Sequence, residues 1–286
     1  MAQQGVHYFP GHMQKALRQM QEYIKAIDLV VEILDARAPL ASRNPLLASL
    51  LGNKARVILL SKSDYADEAT TKQWISYFKS QGIQAVSGNL MKEKIIGLLK
   101  SASAPLIAKK REKEARFAMK PQPIRVMVVG IPNVGKSTFI NNVVGKKIAV
   151  TGNKAGVTRA EQWIKINEDF ILLDTPGVLP MNYADPEQAK RLALLGSMRE
   201  DVLPTYELAK ELLAFLREHY PSALLARFEI QTISENPDET LIAMAKKRGL
   251  LDGANPSLDK ASYLLIKEFK DGLLGPISIE VPPCSI

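Results

Sequence analysis

The sequence predicts an α/β protein with a doubly wound, mostly parallel β-sheet and a C-terminal all-helical domain. Short apolar runs that suit buried strands alternate with helix-like stretches over the first two thirds of the chain, a pattern typical of parallel βαβ units. After residue 186 the strand-like runs stop and helical periodicity remains. A length of 286 residues suits about two domains, which we expect at residues 1–198 and 199–286.

The spacing of apolar residues predicts the elements of the first domain. In chain order they are a helix over 13–27, a strand over 29–34, a helix over 44–51, a strand over 55–60, a helix over 67–81, a strand over 83–86 and a helix over 92–99. Residues 101–123 interrupt the alternation, because prolines flank a charged stretch, and predict a solvated helix or a linker.

The alternation then resumes and gives way to helices. The predicted elements are a strand over 124–129, a helix from about residue 136, strands over 162–166 and 170–173, and helices over 187–198, 205–219, 237–248 and 259–271.

Composition excludes several classes of protein. Hydrophobic residues make up 46% and charged residues 24% of the chain, which are ordinary globular values and exclude a wholly disordered chain. No apolar run approaches the roughly 20 residues that span a bilayer, and residues 1–13 lack the pattern of a secretory signal. The single cysteine, Cys284, excludes internal disulfides and suits the reducing cytoplasm, where we expect the protein.

Positive charge is concentrated toward the N-terminal side. The net charge of +8 favours a polyanionic partner, and a basic surface that only aids solubility is the alternative. Residues 1–120 carry 19 Lys and Arg against 10 Asp and Glu, whereas residues 200–286 carry 9 against 14. A polyanion should therefore meet the first two thirds of the chain, or a local patch such as Lys246, Lys247 and Arg248.

A phosphate-binding motif occupies residues 130–137, which read GIPNVGKS and fit G-x-x-x-x-G-K-[ST] between a predicted strand and a predicted helix. Glycines let backbone N–H groups wrap around phosphate, and the helix dipole adds positive potential. We expect Lys136 to reach the β- and γ-phosphates and Ser137 to ligate Mg²⁺. The nucleotide-binding residues predicted in this loop are Asn133, Val134, Gly135, Lys136, Ser137 and Thr138.

Two later segments complete the predicted Mg²⁺ and phosphate site. Asp174 follows the strand over 170–173, at the position of a second, water-mediated Mg²⁺ contact. Gly177 lets its backbone N–H approach a γ-phosphate, and Thr158 can close over the metal when that phosphate is present. The predicted Mg²⁺ ligands are therefore Ser137, Thr158 and Asp174.

A base-reading motif comes earlier in the chain. Residues 61–64 read SKSD and resemble the guanine-reading Asn-Lys-x-Asp of GTPases, with Ser61, Lys62 and Asp64 as the predicted nucleotide contacts. Asp64 can accept hydrogen bonds from guanine N1–H and the 2-amino group, which adenine does not offer. Ser61 stands in place of Asn, and we expect its shorter side chain to weaken base or loop contacts. The loop after the next strand is expected to back the base through Ser87, Asn89 and Leu90.

The order of these motifs is permuted relative to most GTPases, in which the phosphate loop comes first. Ligands of open α/β sheets bind at the carboxyl ends of the strands, so the site depends on strand ends and not on chain order. The sequence therefore predicts a circularly permuted P-loop GTPase domain, with residues 101–123 long enough to rejoin the old ends.

Further segments make the chain resemble the YlqF/RbgA family of circularly permuted ribosome-assembly GTPases. They read HYFPGHM at 7–13, DARAP at 35–39, SRNP at 42–45 and GPISIE at 275–280. The resemblance spans nearly the whole chain. It implies GTP hydrolysis stimulated by the ribosomal particle, late maturation of the large ribosomal subunit precursor and an RNA-binding C-terminal domain. We expect a monomer that does not bind membranes.

The catalytic group differs from the usual glutamine. Many GTPases place Gln after Asp-x-x-Gly, but Val178 stands there and cannot hydrogen-bond water. The resemblance implies His12 as the catalytic residue, because imidazole can orient water or accept its proton near neutral pH. A structural role for His12 at the start of the first helix is the alternative. Asn133 resembles the residue that helps to bind K⁺ in potassium-stimulated GTPases.

Two other functions stay open at this point. The chain could be a non-catalytic RNA-binding assembly scaffold with GTP as a structural ligand, which multiple-turnover hydrolysis would separate from a GTPase. It could also be an ATP-dependent small-molecule kinase. Asp64 argues against a kinase, and a comparison of ATP and GTP binding would decide.

Overall fold

Six strands form one mostly parallel sheet in the computed structural model, which describes residues 22–145, 162–174, 185–198 and 203–283. The strands are β1 (Leu29–Asp35), β2 (Arg56–Ser61), β3 (Gln84–Gly88), β4 (Ile124–Val129), β5 (Gln162–Lys165) and β6 (Phe170–Asp174). Their spatial order is β3-β2-β1-β4-β6-β5, and only β5 and β6 pair antiparallel. The predicted mostly parallel sheet is confirmed.

β1 lies inside the sheet and is buried at all seven positions. Its side chains alternate between two faces: Leu29, Val31 and Ile33 join one core cluster, whereas Val30 and Leu34 join clusters on the other side. A strand covered on both faces needs a nearly continuous apolar sequence, and the LVVEIL of β1 meets this need except at one position. The doubly wound architecture is therefore confirmed.

Helices cover both faces of the sheet. They are α1 (Pro45–Leu51), α2 (Glu68–Ser80), α3 (Ile95–Arg116) and α4 (Lys136–Val144), and a short 3₁₀-helix (Ser63–Tyr65) follows β2. Leu99 of α3 and Phe139 of α4 share a core with Val31. Leu47 of α1 and Trp74 of α2 belong to the clusters on the opposite face.

α3 is longer than the sequence predicts. The predicted helix end at residue 99 is wrong, because one helix runs through Pro105 to Arg116. A proline inside a helix removes one hydrogen bond and costs about 3 kcal/mol. The carbonyl that loses its donor belongs to the exposed Ser101, so water can bind it. Leu106 and Ile107 pack against the core in the following turn and hold the helix on the sheet. Only residues 117–123 form the connector to β4.

The C-terminal region is helical, with one added hairpin. Its elements are α5 (Pro186–Leu194), α6 (Thr205–His219), α7 (Pro221–Phe228), α8 (Pro237–Arg248), two-residue strands β7 (Leu251–Asp252) and β8 (Asn255–Pro256), and α9 (Leu258–Lys270). The four predicted helices are confirmed, although α5 ends four residues early. α7 is not among the predicted helices, although Pro221 at its first position is a helix-start signal. No helix in the described ranges has the length and apolar character to cross a membrane.

The core of the C-terminal helices extends to the loop that follows β1. Ala38 and Ala41 of that loop pack in one cluster with Leu194, Leu265 and Phe269. The cluster therefore joins residues from both sides of the predicted boundary. The division between residues 198 and 199 stays a prediction.

Candidate nucleotide site

The phosphate loop joins the end of β4 to the start of α4. A Cβ added to Gly130 would lie 2.7 Å from the carbonyl oxygen of Ile33, so only glycine fits this close approach to β1. Gly135 precedes α4 with a left-handed backbone, φ 102°, which glycine adopts without steric cost. These two glycines form the tight backbone turn that the motif requires around a phosphate.

The first turn of α4 carries groups that can bind a Mg²⁺-nucleotide. Lys136, Ser137 and Thr138 are half-buried there, and the N–H groups at a helix N-terminus attract anions. The Lys136 ammonium donates a hydrogen bond to the Ile131 carbonyl at 2.9 Å, so it lies across its own loop. A hydroxyl next to an ammonium and to the N–H groups of a helix N-terminus is a suitable set for a phosphate and its metal.

Ser61 connects the base-reading motif to the phosphate loop. It is the last residue of β2, it is fully buried, and its Oγ lies 2.5 Å from the carbonyl oxygen of Val134 and 3.0 Å from that of Leu34. Its single proton can be donated to only one of these carbonyls at a time. The short side chain reaches the phosphate loop directly. Its effect on nucleotide affinity stays a prediction.

Asp64 and Lys62 flank this junction. Asp64 lies in the 3₁₀-helix after β2 and is exposed, so its carboxylate is accessible to a base. Lys62 has a left-handed backbone, φ 54°, and its Nζ lies 3.0 Å from Oδ2 of Asp35, the last residue of β1. Burial lowers the pKa of Lys62, and the Asp35 carboxylate opposes this shift.

The loop after β3 is attached to α4 by a residue that sequence reasoning missed. Asn142 donates hydrogen bonds from Nδ2 to the carbonyls of Leu90 at 2.8 Å and Glu93 at 2.6 Å, and its Oδ1 accepts one from the Ile95 N–H at 3.2 Å. An asparagine inside a helix, where it is a poor helix former, was the only sequence signal.

The predicted base-backing residues therefore lie next to the phosphate loop. The Cδ1 atom of Leu90 would be 3.1 Å from a Cβ added to Gly135, so the two loops are in contact. Asn89 is nearly buried, and its Oδ1 accepts a hydrogen bond from the Met91 N–H at 2.9 Å. Ser87 is half-buried in β3 beside Leu60 of β2.

The segment that reads DARAP joins this site to the end of α9. The guanidinium of Arg37 binds both oxygens of Asp35, with Nε at 2.9 Å from Oδ1 and NH2 at 2.8 Å from Oδ2. Its NH1 donates to the carbonyl of Phe269 at 2.9 Å and to that of Lys270 at 3.3 Å. Both Arg37 and Asp35 are buried.

Asp35 therefore holds two cations at once. Burial alone would raise its pKa, but the Arg37 guanidinium and then the Lys62 ammonium hold that pKa far below its usual range. Because Arg37 also binds the end of α9, the base-reading lysine and the C-terminal region share one buried carboxylate. Without a structure this pairing is invisible, since Arg37 and Phe269 are 232 residues apart.

The tail segment, residues 277–280, lies along the loops that follow β1 and β2. The N–H of Ile277 donates to the Tyr65 carbonyl and that of Ile279 to the Arg37 carbonyl, each at 2.9 Å. Glu280 accepts hydrogen bonds from the N–H groups of Leu40 at 2.6 Å and Ala41 at 3.2 Å. The end of the described chain is thus bound to the DARAP loop and to Tyr65, the residue directly after the base-reading motif.

Asn133 connects the phosphate loop to the same C-terminal side. It has a left-handed backbone, φ 62°, and its Nδ2 donates a hydrogen bond to the Gly196 carbonyl at 2.6 Å. Of its two amide atoms, only Oδ1 could ligate a cation.

Several predicted site residues lie outside the described parts of the chain. They are His12, Thr158 and Gly177, together with Val178. Asp174 ends β6, one residue beyond Leu173, which pairs with Met127 of β4. Its backbone therefore lies at the same sheet edge as the phosphate loop, and its side chain is outside the described part.

Comparisons with known proteins agree with this geometry. A family described as "50S ribosome-binding GTPase" matches residues 125–245, a segment that starts in β4 and includes the phosphate loop but not the base-reading motif. The protein "Ribosome biogenesis GTPase A" of Bacillus cereus is 41% identical over 278 residues, which cover 97% of this chain and 94% of the relative.

Two solved structures of YlqF match as well. One is described as GDP-bound and one as GNP-bound from T. maritima, with TM-scores of 0.64 and 0.63 and 29% identity each. The matches cover 93% and 94% of this chain and 99% and 98% of the two structures. Because the likeness extends over nearly the full length in both sequence and fold, this chain belongs to the Ribosome biogenesis GTPase A (YlqF/RbgA) family.

Proposed function

We propose that this GTPase of ribosome assembly binds the precursor of the large ribosomal subunit and hydrolyses GTP to GDP and phosphate as a release or checkpoint switch. The observation that carries the proposal is the 2.5 Å contact between the Ser61 hydroxyl and the Val134 carbonyl. It brings two motifs that are 73 residues apart into contact, which supports a single site for base and phosphate. The relatives named for ribosome biogenesis support the proposed process.

The nucleotide-gripping residues fall into two groups. Lys136 and the N–H groups of the loop would hold the β- and γ-phosphates, and Asp64 would accept hydrogen bonds from guanine. Mg²⁺, when bound by Ser137, Thr158 and Asp174, supplies positive charge that stabilises the phosphates. Lys62, Ser87, Asn89 and Leu90 would enclose the base.

Hydrolysis needs a group that directs water. His12 would orient the attacking water or accept its proton, because Val178 cannot, and Gly177 would donate its N–H to the γ-phosphate. K⁺ held by Oδ1 of Asn133 would add positive charge beside the phosphates. The protein would act as a monomer in the cytoplasm.

GTP hydrolysis with and without purified large ribosomal subunits tests this function. We expect the subunits to raise the single-turnover rate of hydrolysis. Equal rates in both cases would instead favour an RNA-binding scaffold that holds GTP as a structural ligand. ATP in place of GTP should bind poorly, and equal binding of both nucleotides would contradict the assignment of the base-reading motif.

Replacing Asp64 with Asn should shift nucleotide preference from guanine to xanthine. The amide cannot accept hydrogen bonds from both N1–H and the 2-amino group, but it can donate one to the 2-oxo group of xanthine. We expect GTP affinity to fall by about 10²-fold or more, with xanthosine triphosphate bound more tightly than GTP. Competition against a fluorescent GDP analogue measures this. Parent-like GTP binding by Asp64→Asn would show that Asp64 does not read the base, and Asp67→Asn is a matched control nearby.

Replacing Ser61 with Ala should weaken guanine nucleotide binding about three- to tenfold. The change removes the hydrogen bond between the two motifs, and a neutral buried hydrogen bond contributes roughly 1 kcal/mol. Ser76→Ala is the control, because that exposed hydroxyl donates only to a carbonyl of its own helix. Titration with a fluorescent GDP analogue measures the effect. Equal loss in both variants would show that the Ser61 contact does not shape the site.

A further inference from the structure

The second half of α3 presents a row of basic side chains to solvent. Lys109, Lys113 and Arg116 follow one another at i, i+4 and i+7, so they share one face of the helix, and all three are exposed. Within the described residues none of the three forms an ion pair. This set, called the basic face of α3 below, is therefore free to meet an external anion.

The neighbouring cations of α3 instead form contacts that stabilise the fold. Lys110 lies 2.7 Å from a carboxylate oxygen of Asp28, and Arg111 lies 2.7 Å from one of Glu114. Arg111 also donates to the Gln122 carbonyl at 2.9 Å, which holds the connector to β4. The Lys110–Asp28 pair and the Arg111 contact to the connector anchor the helix on the domain, so the basic face has a fixed support and its unpaired charges are not needed for stability.

Exposed apolar side chains continue the basic face at the end of α3. Phe117 is 62% exposed and Met119 is 50% exposed, and neither contributes to a core cluster. The turn is held by a left-handed Ala118, φ 48°, and by a hydrogen bond of 2.9 Å from the Met119 N–H to the Glu114 carbonyl. Lys120 follows and is exposed. An exposed aromatic ring that lies between Arg116 and Lys120 in the sequence suits an unstacked nucleic-acid base beside its phosphates.

We infer that the basic face of α3, with Phe117 and Lys120, binds ribosomal RNA, with phosphates on the cations and a base on the ring. The inference rests on the proposed function in ribosome assembly. It identifies which basic residues contact RNA, which the net charge of the whole chain does not reveal. The predicted C-terminal patch is less free, because Arg248 donates to the Arg227 carbonyl at 2.8 Å and lies over the Phe228 ring.

Two other partners fit this surface less well. A helix that binds membranes inserts its apolar face into the lipid, but the apolar face of α3 is packed on the sheet through Ile95 and Leu99. The centres of protein–protein interfaces are depleted in lysine, whereas this surface contains Lys109, Lys113 and Lys120. The phosphates of RNA are therefore the anions that best match these exposed cations and the aromatic ring beside them.

The test is binding to purified large ribosomal subunits with a non-hydrolysable GTP analogue at several salt concentrations. The triple variant Lys109→Ala/Lys113→Ala/Arg116→Ala should bind at least tenfold more weakly. The slope of log K against log salt should become shallower by about 2 to 3, because each lost phosphate contact removes roughly 0.7 to 0.9. Phe117→Ala should weaken binding about fivefold or more without changing the slope.

Matched variants give the comparison. Lys72→Ala/Lys79→Ala removes two exposed cations from α2 and should leave subunit binding within twofold. Glu112→Gln removes the negative charge beside the basic face and should tighten subunit binding. Unstimulated GTP hydrolysis should be unchanged in the triple variant, since its residues are outside the nucleotide site. A charge-preserving Lys109→Arg/Lys113→Arg variant should bind like the parent.

The outcomes separate the two levels of the proposal. If the parent protein does not bind the subunits, both the proposed function and this inference are contradicted. A parent that binds and a triple variant that binds equally would remove the inference alone. Weaker binding with an unchanged salt slope would show that the basic face meets a ribosomal protein and not RNA, which also overturns it.

Discussion

Replacing Arg37 with methionine is expected to lower the free energy of unfolding by about 3–5 kcal/mol, the usual cost of removing one partner of a buried ion pair. Methionine keeps an unbranched stem that extends about as far as Nε but removes the guanidinium. Asp35 would retain only Lys62 as a cation, and the carbonyls of Phe269 and Lys270 would lose their buried donor. Urea unfolding, followed by the fluorescence of the buried Trp74, measures the change.

Two further variants show whether the loss comes from the buried charge. Arg43→Met removes a longer ion pair, 3.3 Å to Glu32, from a side chain that is 23% exposed, and Glu32 keeps Arg56, so a loss of only about 1 kcal/mol is expected. The double variant Asp35→Asn/Arg37→Met removes both charges of the pair, so its loss should be smaller than the sum of the two single-variant losses. A loss below about 1 kcal/mol for Arg37→Met would mean that this junction contributes little to the fold.

Replacing His12 with Ala should reduce subunit-stimulated GTP hydrolysis by about 10²- to 10⁴-fold, the usual contribution of a group that directs water or accepts its proton. Hydrolysis should fall because Val178 offers no replacement for the histidine. GTP binding should stay nearly intact, because His12 lies outside every nucleotide-gripping motif. The unstimulated rate should fall less, on the expectation that the particle orders the histidine. Single-turnover hydrolysis of parent and variant, with and without large subunits, measures both rates.

His219→Ala is the matched control, since that exposed histidine on α6 contacts only Glu218 and Phe215 in the described chain. It should leave the stimulated rate unchanged. A loss smaller than threefold for His12→Ala would return His12 to a structural role. Catalysis would then depend on the ribosomal particle or on bound K⁺.

The sheet and the phosphate loop could be predicted from the sequence, because both depend on local patterns. β1 is apolar on both faces, and the motif at 130–137 follows a strand and opens a helix, which is its required context. The extent of α3 could not be predicted, because Pro105 is a helix breaker by local rules. It is tolerated where the freed Ser101 carbonyl is exposed and where Leu106 and Ile107 pack against the core.

The contacts that assemble the site are long-range and leave no local pattern. Ser61 meets Val134 across 73 residues, and Asn142 meets Leu90 across 52. A serine in place of the usual asparagine suggests weaker contacts from the sequence alone. Its hydrogen bond to Val134 is visible only when the neighbouring backbone is known. In the same way, only family resemblance singles out the DARAP segment, because nothing in its amino-acid sequence indicates that Arg37 reaches the end of α9.

The attachment of the base-reading segment to the tail has a thermodynamic consequence. Tyr65 and Arg37 accept backbone hydrogen bonds from Ile277 and Ile279, so the C-terminal tail is bound to the loops beside the predicted base-reading motif. Equilibrium linkage is reciprocal: if GTP alters the affinity of that region for a particle by some factor, the particle must alter the affinity for GTP by the same factor. If the proposed switch operates through this contact, one coupling free energy would set both the affinity for GTP and the affinity for the particle.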